Sequence, residues 1–436
     1  MILEWIRRAG YWTLDFMKGS PVRKHYKQIE YLLNHEAEVP AFQARKLEEI
    51  LRFAVENTEF YRTFSGFKTL EDFPVIDKNR IKANIESFKS PLCAGKTIHM
   101  HTSGSTGTPF IVEQDPDKRN RVLAEMMTLW GRAGYRIGMR YVFFRSWTDT
   151  VKKSKLDAFM RNLVMEDIVT MDEARLEQVR SRLKRDKRIK MLLGYASTFN
   201  NLAEYLARCG DTPEMFGVRT ILSGSEVLTE HTRELLKRVF GCTVVSLYSN
   251  QENGMLAIEC PAHTEFHVNT ASYIVELLKE DRDEPVMPGE MGRVVITDLF
   301  NRAMPLIRYD TGDLAILKNK ADCAWQGQVL TSIEGRAVDV LYTTQGVKLS
   351  PHVITNHMWN FNKIKQFQIV QQGRAVYDLK VNDPDRHYAD SEYMELLHQL
   401  FGQDAEINLT YVDEIPVIAS GKYKYLLQNY VKEPTA

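Results

Sequence analysis

Short runs of β-branched and aromatic residues alternate with amphipathic stretches from about Ile98 onward, and this alternation is the strongest constraint on the fold. The runs YVFFRSW, KMLLGYAS and VRTILSGSE have the composition of strands, whereas Asp117–Ala133 and Glu230–Phe240 have helical spacing. Strands that alternate with helices predict an α/β fold with layered, mostly parallel sheets. The residues before this region, such as Ala41–Glu56, are expected to be helical.

Two changes in the pattern of predicted helices, strands and turns indicate the domain organisation. Between Tyr273 and Leu317 turns multiply, which predicts a smaller β-rich part of a large N-terminal domain. After Gly335-Arg336, about a hundred residues read as strand, helix, two strands, helix and strand, which is long enough for a small α+β domain. We therefore expect an N-terminal domain over residues 1–336 and a C-terminal domain over residues 337–436.

Charge and cysteine content bear on partners and location. Lysine plus arginine and aspartate plus glutamate both number 57, so the formal net charge is zero. No global field attracts nucleic acid or an anionic membrane, so neither is an expected partner and an anionic ligand needs a local site. The five cysteines are scattered and odd in number, so a disulfide framework is not expected. A reducing cytoplasm therefore fits better than an oxidising compartment.

The N-terminal stretch predicts neither a signal peptide nor a membrane span. Glu4, Arg7, Arg8 and Asp15 interrupt its apolar residues. Its aromatic and aliphatic residues could form a membrane-surface helix, but a helix packed on the body is the expected structure.

A segment rich in glycine and hydroxyl residues follows an apparent strand at Thr97–His101. It lacks the lysine of a Walker A loop, yet its glycines let successive backbone N–H groups face an anion while the hydroxyls add donors. We expect this segment to hold a phosphate group. Its residues are Thr102, Ser103, Gly104, Ser105, Thr106 and Gly107.

Five short motifs occur in an order that resembles the adenylate-forming superfamily. They are this segment, Gly224-Ser225-Glu226, Tyr248–Glu252, Arg308–Asp313 and Gly421-Lys422 near the end of the sequence. The chain is most similar to the phenylacetate–CoA ligase branch, which also holds proteins linked with capsular polysaccharide synthesis. The resemblance covers nearly the whole chain. It implies two steps: a carboxylic acid and ATP form an acyl-AMP, and the acyl group then passes to coenzyme A.

The resemblance also implies the nucleotide contacts. Gly224-Ser225-Glu226 resembles the turn that contacts adenine, and the ring of Tyr248 is expected to stack on that base. Glu252 is expected to help hold Mg²⁺, which prefers carboxylate and phosphate oxygens. Asp313 resembles the carboxylate that accepts both ribose hydroxyls, because it offers two acceptors in one plane.

Between Tyr248 and Glu252 lie Ser249, Asn250 and Gln251. Ser249 and Gln251 depart from the family's glycine and hydroxyl residue, which puts the contacts expected at Gln251 in question.

The C-terminal part is implied to be mobile and to carry the catalytic lysine. Arg336 resembles the arginine at the domain junction that reaches the ribose or phosphate. Val338 stands where the family has a charged hinge residue. Lys422 resembles the lysine that stabilises negative charge on the α-phosphate during adenylation. The segment around Gly346 is implied to line the thiol tunnel after the domain rotates.

Cys260 and His263 have C-x-x-H spacing, and His267 and Cys323 lie on segments where some members of the branch resemble zinc binders. The branch uses a later C-x-C pair, of which Cys323 is the only cysteine in this chain. Two interpretations therefore stand: these residues bind structural Zn²⁺, or the thiols are separate and bind no metal.

The acid is expected beside Arg145–Trp147, Leu193–Ser197 and Ser246–Leu256, where aromatic residues favour an apolar or aryl acid. Two alternatives to the CoA ligase remain. The enzyme could load a carrier protein or a saccharide, or the chain could be a catalytically silent nucleotide-binding paralogue. A homodimer also stays open.

Overall fold

The computed structural model describes residues 2–102, 110–147, 151–169, 171–318, 321–334, 341–349, 351–358, 360–361, 363–415 and 425–430. The α-helices of these residues are α1 (Ile2–Met17), α2 (Pro21–Leu32), α3 (Val39–Asn57), α4 (Lys78–Ala83), α5 (Pro116–Arg132), α6 (Lys155–Arg161), α7 (Glu173–Arg185), α8 (Ala196–Arg208), α9 (Glu230–Phe240), α10 (Pro351–Met358) and α11 (Asp390–Phe401).

The strands of the same residues are β1 (Ile98–Thr102), β2 (Phe110–Gln114), β3 (Arg140–Arg145), β4 (Leu163–Asp167), β5 (Ile189–Tyr195), β6 (Thr220–Gly224), β7 (Thr243–Asn250), β8 (Gly254–Glu259), β9 (Phe266–Val268), β10 (Tyr273–Leu278), β11 (Met291–Asp298), β12 (Tyr309–Lys318), β13 (Val329–Glu334), β14 (Leu341–Tyr342), β15 (Lys348–Leu349), β16 (Gln366–Gln371), β17 (Val376–Asn382), β18 (Glu406–Tyr411) and β19 (Leu426–Gln428).

Side-chain caps explain where several helices begin. The Asp115 carboxylate accepts a hydrogen bond from the backbone N–H of Lys118 at the start of α5. Asp172 does the same for Arg175 in α7, and Thr229 caps α9. These caps satisfy donors that have no partner within the helix, so the predicted helices begin at or near the expected residues.

Contacts divide the chain into two compact units. The first contains Met1–Thr102, Ile111–Met139 and Thr243–Arg336, and the second contains Ser103–Phe110, Arg140–Cys242 and Ala337–Ala436. The expected division at residue 336 coincides with one boundary of these units, while the C-terminal segment and residues 140–242 share a unit. A separate, mobile C-terminal domain stays a prediction.

The first unit carries an antiparallel sheet. Its strands follow the order β10-β11-β12-β13-β9-β8-β7. Leu256, Tyr273, Val294 and Ile296 belong to its buried core. A second cluster joins α2, α3 and α5 through residues such as Ile29, Ile50 and Ala124. This unit includes the β-rich part that the sequence predicted.

The second unit carries a parallel sheet in the order β6-β5-β3-β4. The carboxyl ends of these strands therefore meet at one edge, where α/β proteins commonly bind ligands. The C-terminal residues form a sheet in the order β18-β17-β16-β19, and β14 pairs with β15.

The α/β class is confirmed, but parallel strand pairing involves a smaller part of the chain than the sequence predicted. Parallel pairing in the 140–224 region joins strands separated by helices, whereas β7 to β13 follow one another through turns that suit antiparallel pairing. Among the described residues, no helix is long and apolar enough to cross a membrane.

Candidate active site

In the first unit, Tyr248 and Asp313 are brought into direct contact. The Tyr248 hydroxyl donates a 2.8 Å hydrogen bond to Oδ2 of Asp313 and lies 3.4 Å from Oγ1 of Thr311. Oγ1 of Thr311 also accepts from the backbone N–H of Asp313 at 3.2 Å. Burial, and next the Asp313 charge, hold the pKa of Tyr248 well above its ordinary value of 10.0, so the phenol stays a donor. The residues expected at adenine and at ribose therefore form one hydrogen-bonded set.

Glu252 lies close to this set. Its carboxylate is buried, with 8% of the residue exposed, and Oε1 accepts a 3.3 Å hydrogen bond from the Tyr309 hydroxyl. That is the one hydrogen bond to this carboxylate from the described residues. A carboxylate has four lone-pair sites, so Glu252 fits the donor set that Mg²⁺ takes beside a nucleotide.

A buried polar network supports the turn that contains Gln251 and Glu252, and the sequence analysis did not identify it. Lys118 is fully buried, and its ammonium lies 2.8 Å from the Asp298 carboxylate. It also donates to the Tyr273 hydroxyl at 3.0 Å. That hydroxyl donates in turn to Oε2 of Glu125 at 2.8 Å.

The network reaches the turn through Glu125. Its Oε2 accepts from the backbone N–H of Met255 at 3.2 Å. Gly254 has φ of +131°, and a Cβ there would lie 2.8 Å from the same oxygen. The charged residues of α5, among which Lys118 and Glu125 are buried, were the sequence signal for this network, because such residues are rarely buried without a partner.

In the second unit, Gly224-Ser225-Glu226 forms the turn after β6, as predicted. Ser225 has φ of 68°, and its side chain is exposed. Oε2 of Glu226 accepts a 2.7 Å hydrogen bond from the backbone N–H of Ser197 at the start of α8. Glu226 therefore braces the turn, which leaves the turn's backbone as the part suited to a purine edge.

Other predicted residues lie elsewhere or outside the described part. Gly346 occupies the β14–β15 turn with φ of 80°, where its N–H donates to the carbonyl of Thr343 at 2.8 Å. Thr102 ends β1. Ser103, Gly104, Ser105, Thr106, Gly107, Arg336 and Lys422 lie outside the described residues.

A cavity of about 570 Å³ opens in the second unit beyond the ends of β3 and β4. The lining is mostly polar: Ser146, Trp147, Asp167, Val169, Asp172, Ala174, Arg175, Gln178, His357 and Gln399. Ser146 Oγ lies 3.0 Å from Nε2 of His357 on α10. Because β3 is two strands from β6 in the sheet, the cavity lies roughly 10 Å along the same edge from the Gly224-Ser225-Glu226 turn.

The aromatic residues that favoured an aryl acid have protein partners. Phe144 is fully buried and packs against Phe199, with ring centroids 5.9 Å apart. The guanidinium carbon of Arg145 lies 5.5 Å from the ring centroids of both Phe143 and Trp147. Phe144 therefore belongs to the core, whereas Trp147 lines the cavity, whose other lining residues are mostly polar.

Cys260, His267 and Cys323 come together in the first unit, with ligand atoms all within 4.8 Å of one another. Cys323 Sγ lies 3.2 Å from Nε2 of His267. Burial lowers the pKa of His267 below 6.5, which favours the neutral form that binds metals. His263 is exposed and stands outside this group. Two thiols and an imidazole fit zinc, which takes a fourth ligand in structural sites.

The fold is shared with solved structures of acyl-CoA ligases. A crystal structure of 2-hydroxyisobutyryl-CoA ligase in complex with 2-HIB-AMP and CoA matches with a TM-score of 0.59 at 16% identity, covering 91% of this chain and 90% of that one. An open conformation of that ligase matches with a TM-score of 0.55 at 18% identity, covering 88% and 90%.

Relatives in sequence confirm the resemblance. Phenylacetate-coenzyme A ligase of Thermus thermophilus is 27% identical over 71% of this chain and 73% of its own length. Protein CapK of Staphylococcus aureus is 23% identical over 95% of this chain and 94% of its own. Residues 341–429 match the family model described as the CapK C-terminal domain. The chain is thus related to both phenylacetate–CoA ligases and CapK.

Proposed function

We propose that the chain is an AMP-forming ligase that activates a carboxylic acid with ATP and transfers the acyl group from acyl-AMP to a thiol, with coenzyme A as the leading acceptor. The single observation that carries the proposal is the contact between Tyr248 and Asp313. It places an aromatic ring beside a carboxylate that suits a vicinal diol, which is the chemistry of adenosine.

Positioning and charge stabilisation would account for the first step. The hydroxyl-rich segment from Thr102 to Gly107 would hold phosphate oxygens. Lys422 would bring its ammonium to the α-phosphate, where negative charge spreads as the acid's carboxylate attacks and pyrophosphate leaves. Arg336 would act at the ribose or phosphate, and Gly346 would line the path of the thiol in the second step.

Glu252 would hold Mg²⁺, which supplies charge neutralisation for the phosphates when bound. The hydrogen bond from Tyr309 orients the Glu252 carboxylate. Cys260, His267 and Cys323 would hold a structural zinc ion away from the chemistry.

Pyrophosphate release with a panel of acids, each with and without CoA, tests the proposal. The expected result is release that depends on one acid and acyl-CoA that appears only with CoA present. ATP binding without a response to any acid in a broad panel would instead favour the silent nucleotide-binding paralogue.

A second acceptor class has support of its own. The match of residues 341–429 to the CapK C-terminal domain, together with the polar cavity lined by His357 and Gln399, favours a carrier protein or a saccharide as the alternative acceptor. Burial lowers the pKa of His357, so its imidazole is neutral near pH 7 and suited to accept a proton from a hydroxyl. Acid-dependent pyrophosphate exchange without acyl-CoA would support this alternative.

A further inference from the structure

Helix α1 turns its apolar face away from the protein. Seven of its large apolar side chains are exposed, including Ile2 at 80% and Phe16 at 70%. At 100° per residue these positions fall on one half of the helix. The exposed apolar side chains are Ile2, Leu3, Trp5, Ile6, Leu14, Phe16 and Met17.

The opposite face of α1 attaches the helix to the protein. Asp15 is buried, and its carboxylate accepts hydrogen bonds from the backbone N–H groups of Val22 and Arg23, each at 3.0 Å. The Trp12 ring packs against Tyr26 with centroids 5.4 Å apart. A surface helix normally buries its apolar stripe and exposes its polar one, so this arrangement is reversed.

The exposed face is also free of charge. Besides its apolar side chains, the exposed residues of this face are Gly10 and Thr13, which carry no charge. The described residues therefore leave an uncharged ridge whose large apolar side chains lie at the two ends of α1, with Gly10 and Thr13 between them, and such exposed apolar patches mark interaction surfaces.

Basic residues are concentrated in the segment of sequence that carries this ridge. Within the first 27 residues, six basic side chains face two acidic ones in a chain whose overall charge is zero, and one of the two acids is the buried Asp15. Lys18, Arg23, Lys24 and Lys27 are exposed. A local positive charge beside an apolar helix face that carries tryptophan is complementary to an anionic lipid surface.

We propose that α1 is an interfacial anchor that lies in the headgroup region of an anionic membrane, with its apolar ridge inserted and the rest of the protein outside the lipid. A second copy of the chain fits less well, because symmetric pairing of two ridges would bring two basic clusters together. The proposal revises the expectation of no membrane partner, and it is independent of the ligase proposal.

Flotation of the full-length protein with vesicles tests the anchor. The vesicles are phosphatidylcholine alone, or phosphatidylcholine with about 30% phosphatidylglycerol. The wild-type protein is expected to float with the anionic vesicles and to bind neutral ones more weakly. Ile6→Glu and Phe16→Glu are each expected to lower the bound fraction about tenfold, because each places a charge on the inserted face.

Met287→Glu is the matched control. Met287 is 66% exposed on the connection between β10 and β11, close to the value for Phe16, so its replacement introduces the same charge outside α1. Binding equal to that of the wild type is expected. Thermal unfolding of each variant checks that it is folded.

Three results would overturn the proposal. One is a wild-type protein that stays unbound with both kinds of vesicle. Another is binding that neither ridge variant weakens. The third is a dimer, measured by light scattering, that Ile6→Glu dissociates while vesicle binding is absent; this would assign the ridge to a second copy.

Discussion

The Tyr248 hydroxyl donates a 2.8 Å hydrogen bond to Oδ2 of Asp313. The contact joins β7 and β12, which are four strands apart in the sheet order, and 65 residues separate the two side chains in sequence. In the proposed function, the ring of Tyr248 would face the base and the Asp313 carboxylate would accept from the ribose diol.

Asp313→Asn is expected to raise the KM for ATP about tenfold to a hundredfold, because one acceptor for the ribose hydroxyls becomes a donor. Tyr248→Phe keeps the ring and loses one hydrogen bond, so a rise of only a few-fold is expected. Pyrophosphate release at varied ATP measures both. Equal KM values for the wild type and Asp313→Asn would remove Asp313 from the nucleotide site.

Lys422→Ala is expected to slow acyl-AMP formation by about a hundredfold to a thousandfold, because the charge on the α-phosphate loses its counter-charge. Thiolysis of chemically prepared acyl-AMP should change little. Lys424→Ala is the matched control, two residues away in the sequence. A Lys422→Ala protein with full adenylation activity would rule out the proposed mechanism.

Gly254→Ala is expected to lower the free energy of unfolding by more than about 2 kcal/mol, because the backbone conformation is strained for alanine and the new Cβ meets Glu125 and Tyr273. Gly289 also has a positive φ, of +91°, but nothing lies within 4 Å of a Cβ there. Gly289→Ala should therefore cost only the strain, about 1 kcal/mol. Urea unfolding of both variants measures the difference. Equal losses in the free energy of unfolding would contradict a steric clash of the new Cβ at position 254.

The half-buried imidazole of His357 predicts a loss of stability in acid. Burial lowers its pKa below 6.5 in the folded chain, while the charge of Asp167 opposes the shift. Below pH 6.5 the unfolded state binds the proton more readily, so this contribution is present at neutral pH and is lost as the pH falls. His357→Gln should show a smaller drop in free energy of unfolding between pH 7 and 5. His231→Gln, at an exposed position on α9, should keep the wild-type drop.

Purified protein is expected to contain about one equivalent of zinc, as three soft ligands within reach of one another would bind it. Cys323→Ser should lower the zinc content several-fold and reduce the melting temperature. Cys209→Ser serves as the control, because Cys209 is exposed and lies outside the cluster. Elemental analysis gives the stoichiometry; zinc content unaffected by Cys323→Ser would contradict the site.

Local sequence patterns predicted helices well, because the residues that start and end a helix are close to it in sequence. The Glu230–Phe240 helix has its bounds as expected, since Thr229 caps one end and Gly241, with φ of 60°, ends the other. Tyr248, Glu252 and Asp313 were predicted as site residues from motifs that each occupy a few residues, and their roles stay a prediction. Their mutual contacts depend on sheet register, which spacing alone does not determine.

The rest of the site depends on long-range pairing. Lys118 meets Asp298 across 180 positions of sequence, and a charged residue in a helix is normally expected to face solvent. The preference for an apolar or aryl acid stays a prediction, and Phe144, one of the aromatic residues near β3, fills the core against Phe199. His263 was proposed as a metal ligand from its spacing, but it is exposed outside the cluster.

The buried Lys118 ammonium also limits how this chain can diverge. Replacing Asp298 alone would deprive the buried Lys118 ammonium of its close partner, at a cost of about 3–5 kcal/mol. Tyr248 and Asp313, which are partly exposed, carry no such penalty. A descendant could therefore replace Tyr248 and Asp313 one at a time and keep its fold, whereas the buried network around Lys118 would have to change at several positions together.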